Sequence, residues 1–209
     1  MNRILVLTPE YPPRVIGDVA VHAHAVAKGM ADEGVLTSVI TFDDWRPGEA
    51  VEDGVRVCRV TAPIRTFYSI LTWSPLTTAE FVRAASKVIR GEGVDLVLSL
   101  EWLTGLSAMT LKVIYHLPLI SVFHSTEAQR TQSRESPLSQ GIAYLERGIA
   151  EAADLLIATD EAVARMLVAG YAIPRGKVEV IGLGDKGDVG RLLRIQPKTA
   201  VMRHEGPDA

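Results

Sequence analysis

With a single cysteine, Cys58, among 209 residues, the chain can form no internal disulfide, and a reducing, cytoplasmic setting is expected. No stretch approaches the roughly eighteen uncharged apolar residues that a membrane-spanning helix needs. The start, Met1-Asn2-Arg3 and the short apolar run Ile4 to Leu7, lacks the longer apolar core and small-residue cleavage site of a secretory signal. Internal repeats and low-complexity segments are missing as well. Nor is there an excess of charge: a net charge of −3 gives no electrostatic reason to expect nucleic acid as a partner.

What remains is an ordinary globular balance, 47% apolar and 22% charged, in a chain long enough for one large domain and short for two. Short β-branched runs alternate with amphipathic stretches. The pattern predicts strands at 3–8, 36–41, 55–60, 95–99, 119–123, 154–158 and 177–181. It predicts helices at 19–33, 77–91, 102–115, 138–152 and 160–169. Runs such as Ile4-Leu5-Val6-Leu7 and Leu96-Val97-Leu98 are continuously apolar, which implies burial on both faces of a parallel sheet. The expected fold class is therefore α/β: a single Rossmann-like, doubly wound, mainly parallel sheet with helices on both faces. Gly34 and Gly93 fall where helix-ending glycines belong, and Asp160 where a helix cap belongs.

In such sheets ligands gather beyond the carboxyl ends of the strands, near the switch in strand order. The loop from Pro9 to Asp18 is stiffened by prolines, and Gly17 precedes a helix, an arrangement whose amides and dipole suit a phosphate. The plainer alternative is a crossover loop with a turn glycine. His124 ends an apolar strand and is followed by Ser125, Thr126 and Glu127; it either serves the structure or bonds a ligand and moves a proton near neutral pH. Glu101-Trp102 sets a carboxylate beside an indole, a pairing that grips sugars and that equally describes a helix-start acid above a packed ring.

Other features are set aside. His22 and His24, two residues apart on a helix, point to different faces and make no metal pair. Gly182-Leu183-Gly184-Asp185-Lys186-Gly187 matches a dinucleotide fingerprint, but only 22 residues follow it, too few for a nucleotide-binding unit. No Gly-x-Ser-x-Gly elbow is present, and a cysteine–histidine nucleophile would have only Cys58, which looks buried, to work with. The aromatic segment from Arg65 to Trp73 either shapes an acceptor entrance, touches a membrane surface peripherally, or packs against the domain.

Three stretches, taken in order, resemble the N-terminal domain of the glycosyltransferase family that includes glycogen and starch synthases and sucrose synthase. They are Ile4 to Pro13 with Gly17 and the helix Val19 to Met30; Asp95 to Gly105, containing Glu101-Trp102; and Pro118 to His124, leading on to Ala158-Thr159-Asp160-Glu161. The likeness covers residues 3–184. It implies one half of a two-domain GT-B fold that moves a hexose, with retention, from a nucleotide-diphosphate sugar to a hydroxyl acceptor such as a glucan or other glycan. The sugar nucleotide is then a substrate, and neither cofactor nor metal is implied.

The resemblance also implies roles. The family's glycine pair at the donor phosphate falls on Gly17 and Asp18, and the carboxylate of Asp18 departs from the pattern by crowding an anion. The histidine that contacts the transferred sugar falls on His124, the catalytic candidate. The acceptor-side pair falls on Glu101 and Trp102, with Glu127 added to that set. The cations that stabilise the leaving phosphate lie, in the family, in a C-terminal domain. Residues 1–184 are thus expected to form the acceptor-side domain and residues 185–209 a linker-like tail. A donor-binding domain or subunit in trans would be required, and the chain would be inactive alone. The alternative is a non-catalytic carbohydrate-binding or scaffold subunit built on a degenerate domain.

Overall fold

The computed structural model describes residues 3–64, 69–131, 135–183 and 186–195. Its strands are β1 (Arg3–Thr8), β2 (Leu36–Phe42), β3 (Gly48–Glu52), β4 (Val55–Val60), β5 (Leu96–Leu100), β6 (Leu119–Phe123), β7 (Leu155–Ala158) and β8 (Val178–Val180). The helices are α1 (Asp18–Asp32), α2 (Ile70–Glu92), α3 (Gly105–Tyr115), α4 (Glu127–Arg130), α5 (Pro137–Ala152), α6 (Glu161–Arg165) and α7 (Lys186–Arg194).

The apolar runs form the middle of one sheet ordered β3-β4-β2-β1-β5-β6-β7-β8. All neighbours pair in parallel except β3, which returns antiparallel to β4. Successive side chains of a strand point to opposite faces, so both faces need cover. Leu5, Leu7, Val97, Leu119 and Leu156 pack beneath α2, α3 and α5, among Phe81, Leu111 and Ile149. Ile4, Val6, Leu98, Ile120 and Ile157 pack on the other side, among Val26 and Met30 of α1 and Val189 and Leu192 of α7. The fold is a doubly wound α/β domain, as the alternation of the sequence predicts.

Strand order reverses between β1 and β5, which creates a crevice beyond their carboxyl ends. Gly34 and Gly93 adopt φ values of 80° and 76° after α1 and α2, where an L side chain would be strained. The Asp160 carboxylate accepts the N–H of Val163 at 2.8 Å and caps α6.

Four local readings change. The exposed segment Gly48–Glu52, not among the expected strands, forms the edge strand β3, joined to β4 through Asp53-Gly54 with φ of 50° and 78°. Helix α2 starts seven residues before the predicted 77: Ser69 caps it, and burial of Trp73 outweighs the proline at 75. Trp73 stands edge-on to Phe42 at 5.1 Å, so this part of the aromatic segment packs inward; residues 65–68 lie outside the described residues. Beyond 184, where a linker is expected, residues Lys186–Arg194 form α7 with Val189 and Leu192 buried. Gly29 of α1 makes room for it, since a Cβ there would lie 2.9 Å from Val189. Among the described residues no helix is long and apolar enough to cross a membrane.

Candidate functional site

The loops after β1, β5 and β6 meet at the crevice. Immediately after β5, Glu101 takes φ 65° and ψ 159°, a combination that L residues rarely hold, before the chain turns through the short 3-10 segment Trp102–Thr104. The turn aims the Glu101 carboxylate along the end of β6. There it accepts the backbone N–H of His124 at 2.9 Å and the ring Nδ1–H of the same residue at 2.8 Å. An ionised carboxylate only accepts, so Nδ1 carries a proton. In the neutral ring Nε2 is left as an acceptor, and it is buried with no hydrogen-bond partner among the described residues.

A second imidazole covers the first. The His22 ring, from α1, stacks on His124 with centroids 5.0 Å apart and planes 6° from parallel. Its Nδ1 is likewise buried without a partner among the described residues. Burial holds the pKa of His22 below its ordinary value, His124 adds to that, and Asp18 opposes it. His24 faces elsewhere: its Nε2 lies 3.1 Å from Asp53, and its ring stands edge-on to Tyr11. The two histidines of α1 thus diverge, as their spacing requires.

Behind the dyad lies a charged cluster. Arg130, at the end of α4, donates to Glu127 at 3.2 Å and to Glu146, and stands 4.0 Å from Glu101. Glu146 is 0% exposed, and it also accepts the N–H of Glu127 at 2.8 Å and the hydroxyl of Tyr171. Burial pushes the Glu146 carboxyl above the usual range, while Arg130 and the two hydrogen bonds pull the other way. Burial also opposes the charge on Arg130, but Glu146, Glu101 and Glu127 outweigh it and raise its pKa.

Of the residues singled out in the sequence, Glu101 and His124 are brought together, with Gly17 and Asp18 opening the nearby α1. Their expected roles change. Trp102 is 5% exposed and packed in the core, so its indole offers no face to a sugar. The Glu101 carboxylate is committed to His124, and that of Glu127 to Arg130. The amides expected to receive a phosphate are also occupied: the N–H groups of Ile16 and Gly17 donate to Glu10 Oε2 at 2.5 and 3.0 Å. Asp18, the first residue of α1, adds a further negative charge at that helix end.

Arg130, Glu146 and Glu10 are not singled out in the sequence, and His22 is weighed there only as half of a metal pair. One signal was available for Glu146. It shares a helix face with Ile142, Ile149 and Ala150, and a charge on an apolar stripe marks a buried pair.

The comparisons agree with this architecture. The chain matches Glycosyltransferase Family 4 over residues 17–184. It is 28% identical over 179 residues to an uncharacterized glycosyltransferase of Methanocaldococcus jannaschii, covering 86% of this chain and 45% of that protein. It is 28% identical over 171 residues to the glycogen synthase of Mycobacterium tuberculosis, covering 74% and 41%. Sucrose-phosphate synthase of Thermosynechococcus elongatus superposes with a TM-score of 0.69 at 17% identity, over 87% of this chain and 48% of that one. Anabaena HepE, solved with UDP and glucose, superposes with a TM-score of 0.62 at 19% identity, over 88% and 45%. The chain spans about half the length of the curated relatives it matches. Sequence and fold together place it in one class: it belongs to Glycosyltransferase Family 4 and has the architecture of an N-terminal GT-B domain.

Proposed function

We propose that this domain is the acceptor-side half of a retaining hexosyltransferase that takes a nucleotide-diphosphate sugar and a hydroxyl-bearing glycan, with no cofactor. The observation that carries the reading is the Glu101–His124 pair at the strand switch: Nδ1 is held and Nε2 has no partner among the described residues. Nε2 is buried, so in the neutral ring it accepts a hydrogen bond from a sugar hydroxyl beside the reacting carbon only after the side chains around it give way. In the transfer, the acceptor oxygen bonds to the anomeric carbon as the bond to the phosphate breaks, and the hydroxyl proton passes to the leaving phosphate. The charge on that phosphate calls for cations. Glu10 and Asp18 make this helix end repel the phosphate, so the cations that offset its charge are assigned to a second domain, on the same polypeptide or another. HepE, solved with UDP and glucose, and the glycogen synthase relative support the choice of substrate class.

Transfer of labelled glucose from UDP- or ADP-glucose to an oligoglucan, by this domain joined to a donor-binding domain, tests the proposal. His124→Ala should abolish transfer with the circular dichroism unchanged; an unaltered turnover removes His124 from catalysis. Transfer by this domain alone would refute the need for a second one. The carboxylate already seated on the loop amides favours a second reading, a non-catalytic carbohydrate-binding subunit. Calorimetric titration separates the two: binding of oligosaccharide but not of sugar nucleotide, with or without the partner domain, supports the second.

A further inference from the structure

Glu146 carries a charge in the middle of the domain that the transfer reading does not use. Its Oε2 takes the Glu127 N–H and the Tyr171 hydroxyl, and its Oε1 takes Nη2 of Arg130. The same guanidinium reaches Glu127 at 3.2 Å, the carbonyl and hydroxyl of Ser125 at 3.1 and 3.0 Å, and Glu101 Oε2 only at 4.0 Å. One cation is therefore shared unequally among three carboxylates, tightly with Glu146 and loosely with Glu101. The other oxygen of Glu101 is the one that holds the ring of His124.

How strongly a carboxylate oxygen attracts a hydrogen-bond donor depends on the negative charge left to it, and a guanidinium closing on the same group withdraws some of that charge. We propose that Arg130 and Glu146 are positioning residues that set how firmly Glu101 grips His124, Glu146 keeping Arg130 from closing on Glu101. This deepens the reading of His124 as the residue that faces substrate, and rests on it. The two residues then act in opposite senses. Glu146→Gln still accepts from Glu127 and Tyr171, but it turns an NH2 group toward Arg130 and drives the guanidinium toward Glu101. Arg130→Gln removes the competing cation altogether. A purely structural anchor would behave differently, because loss of either partner would loosen the loop after β6 in the same sense.

The test is the Nδ1–H resonance of His124 in the full chain, followed by proton NMR with nitrogen-15-labelled histidine, without donor or acceptor. Its assignment comes from its loss in His124→Gln. The expected result is an upfield shift with faster exchange in Glu146→Gln and a downfield shift with slower exchange in Arg130→Gln, while circular dichroism shows both variants folded. Shifts of the same sign, or none, overturn the proposal. Should Glu146→Gln not fold, Arg130→Gln decides alone: a downfield shift upholds the proposal, and an upfield or absent one ends it. Because the readout needs no sugar transfer, its failure is distinct from failure of the proposed activity.

Discussion

Replacing Glu101 by glycine should leave a more stable domain than replacing it by alanine, against the usual ranking of the two residues. Both changes delete the carboxylate that accepts two hydrogen bonds from His124, at 2.9 and 2.8 Å. Each donor left without a partner costs about 1–3 kcal/mol, so both variants fall below the parent. They differ in the backbone. At φ 65° and ψ 159° alanine keeps a Cβ in a region suited to glycine, a strain of about 1–3 kcal/mol. Glycine sheds that strain but frees the unfolded chain by about 0.5–1 kcal/mol. The net advantage of glycine is about 1 kcal/mol, or roughly 2–4 °C in melting temperature for a domain of this size. Urea and thermal melts followed by circular dichroism measure it. An alanine variant more stable than the glycine variant by about 0.5–1 kcal/mol would show that the turn at Glu101 stores no strain, and that the dyad is held by its hydrogen bonds alone.

Three further outcomes are expected. Gly29→Ala brings a Cβ to 2.9 and 3.2 Å from the γ carbons of Val189, an overpacking of about 1–3 kcal/mol that should expose α7 to limited proteolysis; adding Val189→Ala should restore protection, and a resistant single variant would show that α7 tolerates the crowding. The Cys58 thiol, buried and pushed up to about 11 by burial and by Glu49, should react with a disulfide reagent at neutral pH only after unfolding; equal rates in folded and unfolded protein count against its burial. Because the pKa of His22 is depressed in the folded chain, the unfolded chain takes up the proton first, so stability should decline as pH falls below about 6.5. His22→Phe keeps a ring in the stack and loses the proton, so its melting temperature should drop less between about pH 7.5 and 5.5; an identical drop would assign the acid sensitivity elsewhere.

The sheet was legible because β1, β5 and β6 are runs of apolar residues that alternate faces within a covered layer, a pattern that survives without knowledge of neighbours. So was the meeting of Glu101 with His124, since both follow adjacent parallel strands at the same level. The roles within the site were not. A carboxylate beside a tryptophan looks alike whether the indole faces a ligand or the core, and only packing sent Trp102 inward. The loop after β1 presented a glycine at a helix start but concealed that Glu10, seven residues earlier, would fill its own amides. His22 meets His124 across 102 positions of sequence, a partnership that the period of α1 alone does not specify. For β3 the Asp53-Gly54 signal was present, and it was masked by the polarity expected of an edge.

That edge has a further consequence. Exposed backbone along a sheet margin is a template onto which another chain can zip. Here one margin is the short β3, whose Glu49 and Glu52 are tied to Arg56 and Arg59, and the other is β8, three residues long with Glu179 turned outward. A stray strand arriving on the first side meets fixed charge, and on the second finds too little backbone to grip. The long, apolar strands that build the crevice are kept between these two guards, away from the intermolecular pairing that would consume them.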